Sequence, residues 1–597
     1  MLLEHIASPR DVKALDATAL PQLCDEVRRA ILENAAAVGG HLAPNLGVVE
    51  LTVALHRVFD SPRDKIIFDV SHQSYAHKVL TGRAAAFTDP AHYGEVSGFS
   101  NPHESEHDFF SMGHTSTSIS LACGLAKARD LAGERYNVVA VIGDGSLSGG
   151  LAFEGLDNAA VLNSGIVIVV NDNDQSIAEN HGGIYGCLAR LRTSGGTASN
   201  NIFRAMGFDY RYLEEGNDVD SLVEALEALR GIDHPVVLHV HTTKGAGYDP
   251  AERAPEVWHH VGSFDIESGR KHTLISGDVP EGTYADITGA HLLEAMKRDP
   301  RVVGVTAGMP YVMGFTQERR AQAGQQFVDV GIAEEHAVTM AAGMAAGGMK
   351  PYVAIYSTFL ERSFDQMLVD VCRNSLPVTF LIDRAGLVGA DGSTHQGVYD
   401  LSYLRLMPNM IVAAPRDVRD LKKLLSLSAE ISEPMAIRYP KDGDDMGPGI
   451  QSQRDFRVGE WELLSSGGDV MIFAVGRMVQ FAMQASIELM GKGLSAGVVD
   501  ARFVKPMDEK MLVEQAKRVR LAVMVEENAL AGGFGEGAIR VLEENGVATD
   551  VMALGVPDRF IGHGTIAEQL AECELDAYGI ARRILARWKE REGRADA

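Results

Sequence analysis

The stretch Gly143–Asn173, GDGSLSGGLAFEGLDNAAVLNSGIVIVVNDN, places two oxygen-bearing tips, Asp144 and Asn173, just after apolar runs. An aspartate between glycines offers a hard oxygen on a loop whose backbone can approach a phosphate closely, which suits Mg²⁺ or Ca²⁺. Asn173 would add a neutral oxygen. A GDG alone is usually an ordinary turn, but a helix and then a strand fill the 29 positions separating the two tips, and that makes a paired site the sharper reading. A second stretch, VDVGIAEEHAVTMAAGMAAGG (328–348), puts Glu334 and Glu335 where an apolar strand meets a small-residue helix. A carboxylate partly buried there would have a raised pKa. Helix dipoles also favour acidic residues in first turns, so an exposed glutamate is the plain alternative.

The chain has twenty histidines, and several lie in glycine-flanked or strand-end loops: GGHLAPNLG (39–47), DVSHQSYAHK (69–78), SMGHTSTSIS (111–120), VWHHVGSFD (257–265) and GADGSTHQG (389–397). One such histidine is ordinarily a surface residue. Five loops of this kind point to a cleft that moves protons near neutral pH. Arg362, Arg384 and Lys441 follow strand-like runs of one block and together could clamp an anion. ENALAGGFGEGAIR (527–540) imitates a dinucleotide loop, but Ala538 breaks the glycine pattern and no acidic ribose partner follows. It reads as a strand-to-helix turn.

These residues need a scaffold. Short Val/Ile-rich runs (VVAVIGDGS, IVIVVNDN, VVLHVHTTKGAGY, PYVAIYSTF, VTFLIDRAG) alternate with helical patterns, which argues for parallel sheets covered on both faces. Ligands of such sheets bind beyond the carboxyl ends of the strands. Polar breaks after Tyr248 and at PKDGDDMGPGIQSQRDF divide the chain into three doubly wound α/β domains, 1–278, 279–450 and 451–597. Ile184 to Asn201, rich in Gly, Ser, Thr and Asn, reads as a mobile loop. The net charge of −26 disfavours nucleic acid and anionic membrane, and no apolar run reaches the roughly 18 residues of a membrane span. Five scattered cysteines and a charged, leaderless amino terminus point to a reduced, cytoplasmic setting.

GDG followed by about thirty residues and Asn is similar to the metal-diphosphate signature of thiamine diphosphate enzymes. GGHLAPNLGVVELTVALH, FDVSHQSYAHKVLTGR, ESEHDFFSMGHTSTSIS, DVGIAEEHAVTMAAG, YSTFLER and DRAGLVGADGSTHQG resemble the 1-deoxy-D-xylulose-5-phosphate synthases of the transketolase superfamily. The resemblance implies two thiamine diphosphate-binding domains, a transketolase-like carboxyl-terminal domain and a homodimer. It also implies Mg²⁺ on Asp144, Asn173 and the Gln175 backbone. His72, Gly113, His114, Thr115, Gly145, Ser146, Asn173, Tyr248 and Phe359 would contact the cofactor, with Glu334, chosen over Glu335 by motif, on its aminopyrimidine. His41, His259, Tyr356, Asp391 and His395 would line the reacting centre, and Arg362, Arg384 and Lys441 would hold the acceptor phosphate. The implied reaction joins pyruvate to glyceraldehyde 3-phosphate with loss of carbon dioxide.

Four departures from the family pattern stand out, one being Pro44-Asn45 in place of a serine pair after GGHLA. The connection from Glu179 to Phe208 is short, EEGND (214–218) replaces a DGHD element, and Lys441 replaces an arginine. Lysine keeps the charge but loses the two-pronged grip on phosphate. They keep two other readings open: a related thiamine enzyme with another acceptor or donor, and a non-catalytic cofactor-binding paralogue.

Overall fold

The computed structural model describes residues 2–176, 179–272, 279–441 and 455–595. The chain forms two compact units, Met1–Asp278 with Val330–Ala333, and Val279–Asp329 with Glu334–Ala597. The first contains a five-stranded parallel sheet in the order Lys65–Phe68, Val138–Gly143, Ile166–Asp172, Pro235–His241, Asp209–Leu213. Alternate residues of these strands enter different cores. Val139, Val141, Val167 and Val169 pack on one face with Leu51, Leu55 and Val58. Val138, Ala140, Ile166 and Ile168 pack on the other with Ala122, Ala126 and Leu156. Burial on both faces explains why the strands read as unbroken apolar runs.

The segment expected to be a mobile loop is largely helix, Gly183–Thr193. Its Gly/Ser/Thr content hides a helical stripe: Tyr185, Leu188 and Leu191, at i, i+3 and i+6, are all buried on the sheet's second core. Burial of that stripe outweighs the low helix propensity of the glycines.

The second unit holds two sheets. Six parallel strands run in the order Ile411–Ala413, Met435–Arg438, Thr379–Asp383, Lys350–Tyr356, Val302–Thr306, Phe327–Asp329. A seventh strand, Phe503–Lys505, joins antiparallel beside Ile411–Ala413, although it comes from the block expected as a third domain. That block has its own sheet, Glu462–Ser465, Ala496–Asp500, Val470–Ala474, Leu521–Ala529, Asp550–Val556. The dinucleotide look-alike is a turn from strand Leu521–Ala529 to helix Phe534–Glu544, as its broken glycine pattern suggested. No helix among the described residues is long and apolar enough to cross a membrane.

Candidate functional site

In the first unit Gly143 pairs with Asn171 across neighbouring strands, and the Asp144 amide donates to the Asn171 carbonyl at 3.0 Å. Asp144 and Asn173 therefore emerge side by side at the carboxyl edge of the sheet. Asp144 is buried, and its carboxylate accepts from Asn180 Nδ2 at 3.1 Å. Burial raises its pKa and the charge of Asp172 raises it further, with Lys244 partly offsetting both. Asn173 Oδ1 is buried without a hydrogen-bond partner. A buried carboxylate under repulsion and an orphaned amide oxygen on adjacent tips suit a hard divalent cation. No group of three or more His, Cys, Asp or Glu able to hold a metal occurs among the described residues. Gln175 follows Asp174, whose positive φ of 60° turns the chain past Asn173.

Glycines keep the surrounding loops close. A Cβ on Gly149 would sit 2.1 Å from Ser116 Oγ, and one on Gly145 3.0 Å from Ser176 Oγ. Ser116 Oγ donates to the Ser146 carbonyl at 2.7 Å, tying the Gly113-His114-Thr115 loop to the GDGS turn. The buried Asp69 carboxylate accepts from the Ser116 and Ser118 amides at 2.7 and 2.9 Å and fixes the same loop from below.

Four histidines converge. The His41 ring lies 5.2 Å from that of His72, 5.7 Å from His259 and 4.7 Å from His260, and His72 lies 5.3 Å from His259. Burial drives the His259 pKa well down and the charges of Lys244 and the neighbouring imidazoles add to this, so the ring is neutral at pH 7. Tyr248 packs on Trp258 and Phe264 and donates its hydroxyl to the Ile266 carbonyl at 3.1 Å.

Three positioning groups lie outside the expected site residues. Fully buried Asn45 donates to the His41 and His72 carbonyls, both at 2.7 Å, and accepts from the Tyr75 amide at 2.8 Å, bolting two histidine loops together. Asp172 is gripped by Arg192 at 2.6 and 2.7 Å and by His239 at 2.8 Å. Burial alone would raise its pKa, but these partners outweigh it and keep the carboxylate ionised. Buried Lys244 donates to the Ser176 carbonyl, and burial brings its pKa down to about 8. A lone lysine between Thr-Thr and Gly-Ala-Gly was the available signal. The EEGND departure is structural here: Asn217 donates to Gly47 and Glu50 and accepts from the Thr243 amide.

In the second unit Glu334 opens helix Glu334–Ala346 and is buried, whereas Glu335 is partly open. Burial raises the Glu334 pKa, and Arg362, 3.6 Å from Oε2 and too distant for a hydrogen bond, only partly opposes this. Arg362 thus stands with Glu334. Arg384 and Lys441 instead share Asp391. Lys441 Nζ donates to one Asp391 oxygen at 2.7 Å and Arg384 Nε lies 3.6 Å from the other. Burial would raise the Asp391 pKa, but the two cations hold it at about 2. Arg384 also lies over the Tyr356 ring at 4.1 Å, Tyr356 stacks on Phe359, and Phe359 meets the His395 ring edge-on at 5.4 Å. Arg384 Nη1 also lies 3.2 Å from the buried Asp383 carboxylate, so the two cations stand among two carboxylates.

The comparisons with known proteins fit these two half-sites. The transketolase pyrimidine-binding domain matches residues 281–443 and the transketolase C-terminal domain matches 459–580, which defines an α/β transferase of the thiamine diphosphate-dependent transketolase type. The 1-deoxy-D-xylulose-5-phosphate synthase model matches residues 3–199. The chain is 43% identical to the 1-deoxy-D-xylulose-5-phosphate synthase of Pelotomaculum thermopropionicum, over 99% of this chain and 98% of that one. It is 45% identical to 1-deoxy-D-xylulose-5-phosphate synthase 1 of Geobacter metallireducens, over 98% and 99%. The chain belongs to the 1-deoxy-D-xylulose-5-phosphate synthase family. Members use thiamine diphosphate with a divalent ion such as Mg²⁺, and the donors at Asp144 and Asn173 fit that pair.

Proposed function

We propose that the chain condenses pyruvate with D-glyceraldehyde 3-phosphate, releasing carbon dioxide and forming 1-deoxy-D-xylulose 5-phosphate. The observation that carries this reading is the 43% identity to a synthase of that name along 99% of the chain. When bound, thiamine diphosphate supplies a carbon nucleophile and an electron sink for decarboxylation. The chain's own residues do the rest. Asp144, Asn173 and the Gln175 carbonyl hold Mg²⁺. His72, Gly113, His114, Thr115, Gly145, Ser146, Asn173, Tyr248 and Phe359 would contact the cofactor. Glu334 would sit against the aminopyrimidine and share a proton with it. Neutral His259 can accept a proton, and His41 and His395 can pass protons to and from substrate oxygens. Lys441 and Arg384 receive the acceptor phosphate, aligned by Asp391, with Tyr356 and Phe359 as the apolar wall. Domain limits of 1–278, 279–450 and 451–597, a homodimer and a cytoplasmic location complete the proposal, supported by family membership.

The test uses purified protein with Mg²⁺, thiamine diphosphate and pyruvate, with carbon dioxide release followed with and without glyceraldehyde 3-phosphate. Stimulation by the aldehyde is expected. Release indifferent to it, or consumption of xylulose 5-phosphate in place of pyruvate, would sink this reading. Lys441→Ala should raise KM for the aldehyde about 10- to 100-fold, the size of one lost charged hydrogen bond, while sparing pyruvate decarboxylation. An unchanged aldehyde KM would remove Lys441 from the phosphate site.

A further inference from the structure

The loop carrying Arg384, Asp391 and His395 holds itself poorly. Between strand Thr379–Asp383 and helix Asp400–Leu406 it has one short turn, Gly389–Asp391, and an isolated bridge between Gly386 and Gly397. Arg384, Gly386, Gly389 and Gly392 all have positive φ. Such a segment needs outside support to keep one conformation.

That support comes from the block that follows it. Glu527, 1% exposed, accepts from the Leu387 amide at 2.8 Å. Arg477 pairs with the same carboxylate and donates to the Leu387 carbonyl at 3.3 Å. Gly386 is needed for this approach, since a Cβ there would lie 2.4 Å from the Glu527 carboxylate carbon. Gln569, also 1% exposed, accepts from the Gly389 amide at 2.9 Å and donates to the Gly389 carbonyl at 3.3 Å. Its side-chain amide thus pairs with both backbone polar groups of Gly389, two residues before Asp391. A third Gln569 bond, Nε2 to the Gly562 carbonyl at 2.8 Å, anchors it within its own block.

We infer that Glu527 and Gln569 are positioning residues for the reaction: the carboxyl-terminal block sets acceptor affinity by holding the 386–391 backbone so that Asp391, Arg384 and His395 face the substrate in one arrangement. Buried polar side chains that each satisfy an irregular loop specify one conformation more than they add stability. The ENALAGGFGEGAIR turn thereby gains a use, because its first residue, Glu527, is half of the clamp. The inference rests on the proposed acceptor role of this loop, and the experiment separates the two.

Gln569→Leu, Gln569→Glu and Glu527→Gln are made in the full-length enzyme. Amide hydrogen exchange over 385–397 is measured beside KM for glyceraldehyde 3-phosphate and aldehyde-independent carbon dioxide release. Gln569→Leu should speed exchange in that segment about tenfold and raise the aldehyde KM about tenfold, with carbon dioxide release within about twofold of the parent. Gln569→Glu, which keeps the oxygen facing the Gly389 amide, should recover part of both, and it replaces the leucine variant if that one fails to fold. Unchanged exchange over 385–397 overturns the clamp whatever the activity. So does faster exchange spread evenly over the carboxyl-terminal sheet, which would mark general destabilisation. Faster exchange confined to 385–397 with an unchanged aldehyde KM upholds the clamp and rejects the loop's acceptor role.

Discussion

Glu334→Ala is expected to lower kcat by on the order of 10³-fold with cofactor affinity changed far less, within the range that a positioned proton-transfer group contributes. The structure gives the reason. Glu334 is buried at the first turn of its helix, burial raises its pKa, and the nearest cation, Arg362, is 3.6 Å away and only partly reverses the shift. A carboxyl whose proton burial holds more tightly can share it with a ring nitrogen more readily than an ordinary surface glutamate. Glu335 is the internal control. It is partly solvent-open beside the same helix start, so Glu335→Gln should leave kcat within about threefold, as surface changes away from a site usually do. The check is steady-state turnover together with exchange of the cofactor's reactive C–H proton, followed by NMR. Near-normal exchange in Glu334→Ala would transfer the role to another residue.

Asp144→Ala should weaken Mg²⁺-dependent cofactor binding by more than about 100-fold, beyond the loss typical of residues that merely support a ligand. Titration of the apoprotein with thiamine diphosphate at several Mg²⁺ concentrations, read by fluorescence quenching, measures this. The same substitution should not lower the melting temperature of the apoprotein. Asp144 and Asp172 are buried near one another, and repulsion between them opposes folding when no cation is present. A metal site that costs stability until it is filled is a common arrangement. A substantial drop in apoprotein stability would recast Asp144 as a structural residue, and unchanged Mg²⁺ dependence would remove it from the ligand set.

The scaffold was readable because parallel strands buried on both faces announce themselves as Val/Ile runs, and the polar residue after each run marks the edge where chemistry gathers. The expectations for Asp144, Asn173 and Glu334 were drawn this way. Burial then separated Glu334 from Glu335, a distinction that spacing could not draw. The helix Gly183–Thr193 was missed because its composition imitates a loop, and its three buried side chains count only when a sheet lies beneath them. Arg362, grouped with Arg384 and Lys441 because all three follow strands of one sheet, also lies 3.6 Å from Glu334. Asn45 and Gln569 act through backbone carbonyls and amides, which carry no side-chain signature. Gln569 reaches Gly389 across 180 positions of sequence. Contacts of that kind become visible only when the chain is folded.

The antiparallel strand Phe503–Lys505 lies along Ile411–Ala413, which would otherwise present unpaired amides and carbonyls at the margin of its sheet. Val412 pairs with Lys505 and Ala413 with Phe503, so an apolar, β-branched margin is sealed by a segment that arrives ninety residues later in synthesis. A fragment ending before that strand would leave the margin open to any extended chain nearby, including its own copies. Solubility of the pyrimidine-binding block therefore depends on translation continuing past Lys505, and self-association of a shorter piece would be the mark of that dependence.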